Sequence, residues 1–280
     1  MNAGARTDSR TLDGLVDRAL AGELGPDPRT RRIAVAFTTS QAVRHDGRSG
    51  GYRNEVLSLR LDRAVGSCSV EPGSLPAGTV EDCAGAEVAG LLDHPLTAVR
   101  VAALDAYLMD VTPHAPAHGA EPVTVPAGTS LERSRARAAA VVELLDAVAP
   151  GGTVLVVGVV NSLLAELRSR GHVALPCDLK GGTTEWGEAV GTDALAEMGR
   201  CDAVLASGMT LGNGTFDPLR QHALEHGKPL VMFAQTGSAV LPRFLGAGVS
   251  AVCAEPYPFF WLDGGPGTIH RYRADDGGTP

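Results

Sequence analysis

The stretch TVLVVGVVNSLLAELRSRGHVALPCD, Thr153 to Asp178, decides the fold class. Val154 to Val157 is wholly apolar, as a strand buried on both faces must be. A helix is predicted from Asn161 to Arg170 and a second short strand from Val173 to Pro176. The same rhythm continues downstream. Ala203 to Ala206 reads as a strand, Phe216 to His226 as a helix, and Leu230 to Phe233 as a strand. Ala239 to Leu245 reads as a helix and Ala251 to Ala254 as a final strand. Strands that lack a polar face and alternate with helices specify a Rossmann-like, doubly wound parallel sheet. Just upstream, Thr129 and Glu132 have capping-box spacing, opening a helix to Ala149 that stops at Pro150-Gly151-Gly152.

The N-terminal half follows other periods. After a short helix around Leu12 to Ala21, Ile33, Val35 and Phe37 alternate with small residues. Beyond a polar turn at His45 to Gly51, Leu57, Leu59 and Leu61 alternate with Val56, Ser58 and Arg60, which predicts an antiparallel hairpin. A third strand is expected over Ala64 to Val70. In Thr97 to Val111, Val101, Leu104, Leu108 and Val111 share one helical face. Strands followed by helices is an α+β order. Pro113, Pro116, Pro122 and Pro126 then mark a link, dividing the chain into an α+β domain over 1–120 and a Rossmann-like α/β domain over 121–280.

Composition narrows the function classes. The 280 residues are 44% hydrophobic and 20% charged, an ordinary globular balance. A net charge of −8 speaks against nucleic acid as a partner, because binding it needs a basic stripe. The most apolar segment, Thr153 to Leu164, is broken by Asn161 and too short to span a bilayer, and Met1 to Arg10 lacks the apolar centre of a secretory signal. Five scattered cysteines without a CxxC pair point to reduced thiols in a cytoplasm.

Doubly wound sheets bind ligands beyond the carboxyl ends of their strands, where strand order reverses. Three loops are expected there: Gly158 to Ser162, Thr210 to Thr215, and Thr236 to Ser238. Backbone N–H groups at helix amino ends attract phosphate or carboxylate. This makes Gly158, Asn161, Ser162, Thr210, Gly212, Gly214, Thr215, Gly237 and Ser238 candidate ligand-binding residues. Taken singly, Asn161, Thr215 and Ser238 equally read as plain helix caps. The second loop is different, since two glycines around Asn213 keep its backbone open to a ligand.

Asp178 lies about 20 residues past Gly158, where a dinucleotide site places its ribose-binding acid. The glycine fingerprint is missing, so a nucleotide-type ligand and an ordinary strand-end aspartate both stand. Cys68, Cys177 and Asp178 are candidate ligands for a divalent transition metal, although a lone strand-end cysteine is also common core. Arg53 is a candidate fork for carboxylate or phosphate, or a plain surface arginine. Asp105 shares an apolar helix face with Leu104 and Leu108, so it either caps a neighbouring loop or looks into a polar site. His222-Ala-Leu-Glu225-His226 matches the HxxEH peptidase pattern in letters. Phe216, Leu219, Ala223 and Leu224 are taken as the buried face of that helix, with His222 outside it. With the helix stop Gly227-Lys228-Pro229 following, the pair reads as helix-end histidines favoured by the dipole.

The segment Ser207 to Asp217, with Tyr52-Arg53-Asn54 and Gly66-Ser67-Cys68 upstream, resembles a bacterial and archaeal family of unassigned function whose label refers to heavy-metal chelation. The resemblance implies a small domain like the N-terminal domain of enolase, joined to a Rossmann-like domain. It also implies a site between them, lined by the Thr210–Thr215 loop, the Gly158–Ser162 loop and the Tyr52–Asn54 strand. Thr236-Gly237-Ser238 departs from the Gly-Pro-Ser that relatives carry after the fourth strand.

These readings favour an enzyme acting on an anionic substrate, nucleotide-like or amino-acid-derived, with lyase or transferase chemistry. Arg53, Asn213 and Asp105 form its catalytic set, and Asp105 or Asp178 is its base. Two alternatives remain open. One is a non-catalytic binder of a heavy metal or metal chelate. The other is a dimeric scaffold or regulator that uses the aromatic run Tyr257 to Trp261 as its interface; that run otherwise covers the cleft or packs onto the sheet. The expected partners are an anionic small molecule and a second copy of the chain, with neither nucleic acid nor membrane.

Overall fold

Seven strands build the larger of two sheets in this computed structural model, which describes residues 10–44 and 51–274. The chain enters through α1 (Leu12–Leu20), then forms β1 (Val35–Val43), β2 (Tyr52–Leu61) and β3 (Ala64–Val70), a three-stranded antiparallel sheet in that order. The turn expected at His45 to Gly51 lies, except for Gly51, outside the described residues. Helices α2 (Thr79–Cys83), α3 (Val88–Leu92) and α4 (Thr97–Val111) follow. α4 has the predicted bounds and lies across β3.

β4 (Glu121–Val125) and α5 (Ser130–Val142) lead into the strand–helix series. That series is β5 (Thr153–Val157), α6 (Asn161–Ser169), β6 (Val173–Cys177), α7 (Ala194–Glu197), β7 (Ala203–Ser207), α8 (Met209–Gly212), α9 (Phe216–Glu225), β8 (Leu230–Ala234), β9 (Ala251–Ala254) and β10 (Gly267–Arg273). The order across the sheet is β4-β10-β9-β8-β7-β5-β6. β6, β5, β7, β8 and β9 pair in parallel, while β10 runs antiparallel between β9 and β4. The fold is mixed α/β with a mostly parallel sheet.

The inner strands β5, β7, β8 and β9 are almost wholly apolar because both their faces are covered. Val154, Val156, Ala203, Leu205, Val231 and Phe233 pack on one side with α5 and α6. Leu155, Val204, Ala206, Leu230 and Met232 pack on the other with α4, α8 and α9. That second core is continuous with Leu57, Leu59 and Cys68 of the small sheet, so the two sheets share one apolar interior.

Three elements depart from the sequence reading. The helix expected to reach Ala149 ends at Val142 and tightens into a 3₁₀ turn over Glu143–Leu145, its Thr129–Glu132 capping box intact. The helix expected over Ala239 to Leu245 is only a 3₁₀ turn, Leu241–Phe244, with Pro242 near its start. β9 is not the last strand, since β10 and β4 extend the sheet beyond it. Among the described residues, no helix is long and apolar enough to cross a membrane.

Candidate functional site

Numbering the parallel strands in chain order, β6-β5-β7-β8-β9 reads 2-1-3-4-5, and the order reverses between β5 and β7. The loops leaving those two strands flank a crevice at the switch point. Gly158 follows β5 with φ +89°, and a side chain there would press within 2.8 Å of Ser207 Cβ at the end of β7. Here glycine is required by both conformation and space. The crevice opens into a cleft of about 1020 Å³ between the small sheet and the carboxyl ends of the large one. Its size suits a cofactor or metabolite.

Many expected residues meet in this cleft. Gly158, Asn161 and Ser162 line it after β5, Cys177 and Asp178 after β6. The expected Thr210–Thr215 loop is in part the short helix α8; Thr210 lines the cleft from it, Asn213, Gly214 and Thr215 from the turn before α9, and Arg53 from β2. Several of these groups are already engaged. Asn213 Oδ1 accepts from the backbone N–H and the hydroxyl of Thr215, at 3.1 and 2.7 Å. Asp178 accepts from Lys180 N at 3.0 Å and weakly from Val159 N at 3.5 Å. At the amino end of α9, Asn213 thus holds the N-cap residue Thr215, while the cap itself makes no side-chain hydrogen bond to the first turn.

α6 is different. Its N-cap is Val160, which has no side-chain acceptor. Among the described residues, no protein acceptor takes the N–H groups of Val160, Asn161 or Ser162. Beside this open helix end, the Ser134 hydroxyl of α5 donates to Ser162 Oγ at 3.0 Å. One turn along α5, Arg137 is 5% exposed and also lines the cleft. Its Nε donates to Glu255 Oε1 at 2.7 Å and its guanidinium lies 4.8 Å from the centre of the Phe233 ring. Its terminal nitrogens reach no acceptor among the described residues. Gln235 Nε2 holds the other oxygen of Glu255 at 3.2 Å.

Arg137, Ser134, Glu255 and Gln235 were not singled out in the sequence. The available signal was the spacing of Arg133 and Arg137, four apart on the stripe that continues through Val141 and Leu144. Arginines on a core stripe need buried acceptors. Arg133 finds the Asp263 carboxylate and the Asp263 and Gly265 carbonyls, and Arg137 finds Glu255.

Other expected residues lie outside the cleft lining, and packing explains them. Asp105 is fully buried in α4. Its Oδ2 accepts from Ser67 N at 2.8 Å and its Oδ1 from Ala239 N at 2.7 Å, clamping β3 to the loop after β8. Desolvation pushes its carboxyl up to about 7, against the pull of its donors. It is a strut, not a base in contact with substrate. Ser238 is buried beside it as one of its donors. Gly237 donates its N–H to Ser67 O at 3.0 Å, and a side chain there would overlap Leu211. Gly212 rests on β3, where a Cβ would stand 2.8 Å from Cys68 Sγ and 3.1 Å from Ser69 O. Gly66 touches α4 so closely that a methyl group would overlap the backbone of Ala102 and Ala106. Gly66 thus lets α4 lie on β3, and Gly212 and Gly237 let α8 and the loop after β8 dock on the small sheet. Accordingly, Gly212→Ala is expected to lower stability by roughly 1–3 kcal/mol through overpacking, read as a lower urea midpoint.

The metal set does not assemble. Cys68, Cys177 and Asp178 do not bring their ligand atoms together; among the described residues the one such group of three is His222, Glu225 and His226. Burial pushes the Cys68 thiol up and Cys177 up to about 11, which disfavours the thiolates a soft metal needs. The aromatic run is not an exposed tail. Phe259 and Phe260 are buried, Trp261 lines the cleft with Phe260, and its indole N–H donates to Gln41 Oε1 of β1.

No family model matches the chain, and no curated protein matches it. Among solved structures, a protein of unknown function from the DUF364 family of Desulfitobacterium hafniense superposes with a TM-score of 0.59 at 14% identity, covering 86% of this chain and 85% of that one. A second DUF364 protein of unknown function, from Pyrococcus horikoshii, gives a TM-score of 0.48 at 15% identity over 71% of this chain and 76% of that one. A galacturonate dehydratase from a Geobacillus species gives 0.39 at 13% identity over 88% and 92%. The last two are too distant to carry an argument. The chain thus shares its mixed α/β fold with a DUF364 protein, and the likeness extends to the fold alone.

Proposed function

We propose that this protein is a small-molecule enzyme that holds the anionic group of its substrate between the amino end of α6 and Arg137. One observation carries the reading: an uncapped helix amino end stands at the switch point of the sheet, beside a buried arginine with unused donors. Helix-end N–H groups and a guanidinium fork are complementary to carboxylate or phosphate oxygens. The Ser134 and Ser162 hydroxyls add donors at the same place.

The cleft carries both signs of charge. Arg53, Arg137 and Lys180 line it with Glu71, Asp178, Glu185 and Asp193. Lys180 is tied to Glu71 at 2.7 Å, while Arg53 sits 4.0 Å from Glu55. A lining of mixed sign favours an amino-acid-derived substrate, with one anionic and one cationic group, over a nucleotide bearing several phosphates. Arg53 and Asn213 then position the substrate, and Asp178 is the carboxylate that serves as base.

Ser162→Asp tests the site. An acidic residue suits a helix amino end and can accept from Ser134, so the fold is expected to survive while the added charge occupies the anion's place. Calorimetric titration with phosphate, dicarboxylic amino acids and a nucleoside monophosphate is expected to find a ligand that the variant binds at least about tenfold more weakly, roughly 1.4 kcal/mol. Equal affinity in parent and variant would refute the assignment.

A further inference from the structure

The motif that ends α9 lies outside the cleft, and the fold gives it a different use from a peptidase. Leu224, expected on the buried face of that helix, is exposed; the buried residues are Phe216, Leu219, Arg220 and Ala223. The last turn and the cap thus present His222, Glu225 and His226 on the outside of the molecule, with His222 partly covered and the other two exposed. One ligand atom from each lies within 4.8 Å of the other two.

The state of each group suits coordination. His226 Nδ1 stands 2.8 Å from the His222 carbonyl oxygen. A carbonyl only accepts, so Nδ1 carries the proton and Nε2 of the neutral ring carries the free lone pair. A hydrogen bond of this kind on the far ring nitrogen fixes a metal-binding imidazole in structural and catalytic sites. Gln221 Nε2 donates to Glu225 Oε1 at 2.8 Å, orienting that carboxylate and leaving Oε2. The two imidazole rings stack with centres 4.1 Å apart, one helical turn from each other. The carboxyl end of a helix, with its negative dipole, also favours a cation.

We propose that His222, Glu225 and His226 form a binding site for one divalent transition ion of the zinc type, separate from the cleft. Two imidazoles and a carboxylate are a borderline donor set, suited to zinc, cobalt or nickel rather than to magnesium or calcium. Zinc ligands at about 2.0–2.2 Å from the ion stand roughly 3.4 Å apart in a tetrahedron. Small side-chain rotations close the remaining gap. Three protein ligands leave a position open, so the ion keeps a water or takes a donor from another molecule. A site this exposed exchanges its ion, in contrast to an enclosed structural zinc.

The test titrates cobalt(II) chloride into the full chain after treatment with a chelator, followed by visible absorption, then displaces cobalt with zinc. The expected result is one saturable equivalent with a spectrum of nitrogen and oxygen ligands, lacking the intense thiolate band. His222→Ala and His226→Ala are each expected to weaken binding at least about tenfold, since a direct ligand is worth no less than a group that only orients one. The double variant is expected to show no saturable binding, and circular dichroism checks that its fold is kept. Ser162→Asp is expected to bind cobalt as the parent does. A thiolate band, unchanged binding in the double variant, or no saturation up to about 1 mM cobalt would each overturn the proposal.

Discussion

Replacing Arg137 with alanine is expected to remove about 3–5 kcal/mol of folding stability, because it leaves Glu255 charged, buried and without its partner. Glu255 is 1% exposed and lies at the carboxyl end of β9, with its backbone N–H on Ala234 O and its two oxygens on Arg137 and Gln235. Gln235 offers one neutral donor, too little to offset the desolvation of a full charge. Replacing both members, Arg137→Met with Glu255→Leu, is expected to cost less than the single change, since no charge is then stranded. Urea unfolding of the parent, the two single variants and the double variant measures the coupling. A double variant as unstable as the sum of the two single ones would show that the pair does not act as a unit.

The second large effect is expected at Asp105. Asp105→Ala deprives two buried N–H groups, Ser67 and Ala239, of their acceptor. Each orphaned donor costs about 1–3 kcal/mol, so the loss is about 2–6 kcal/mol, and the docking of the two sheets weakens with it. Asp105→Asn separates the hydrogen bonds from the charge. Its amide accepts from one N–H and faces the other with a second donor, a loss of about 1–3 kcal/mol. The pH dependence has a definite sign. The carboxyl sits at about 7 in the folded chain and near 3.9 when unfolded. The contribution of its neutral form is fully present below about pH 4 and lost as pH rises through about 7. The stability difference between parent and Asp105→Asn is therefore expected to be widest near pH 4 and to narrow toward pH 8. Urea midpoints across that range read it out, and a constant difference would contradict it.

The regular parts of the fold were legible because their physics is local. Thr97 to Val111 advertises a helix by its apolar spacing, and the β5 to β9 series by runs apolar on both faces. β4 was not legible: Glu121-Pro122-Val-Thr-Val125 carries a proline and reads as linker. Its place at the sheet edge explains why the proline is tolerated. β10 was hidden by its polar residues, His270, Arg271 and Arg273, behind a segment rich in glycine and proline. The loop Thr236 to Ser238 suggested a third helix amino end, over Ala239 to Leu245, that the structure replaces with a 3₁₀ turn.

The site was half legible. Loops at strand ends point to the switch point whatever their details, so Gly158, Asn161 and Ser162 line the cleft as the sequence reading expects. Gly212 and Gly237 are close-packed instead, against β3 and Leu211 respectively; a glycine that admits a ligand and one that admits a packed neighbour look alike in sequence. Arg137 was passed over because an arginine between Arg133 and a run of alanines looks solvated. Only the partner at Glu255, 118 residues away, makes its burial possible.

Soaking crystals of the chain in selenate and measuring anomalous scattering at the selenium edge locates an oxyanion whatever the natural substrate is. The expected result is a peak within hydrogen-bonding distance of Ser162 N and the Arg137 terminal nitrogens. Selenate bound only at surface arginines, with the amino end of α6 empty, would contradict the proposed anion site.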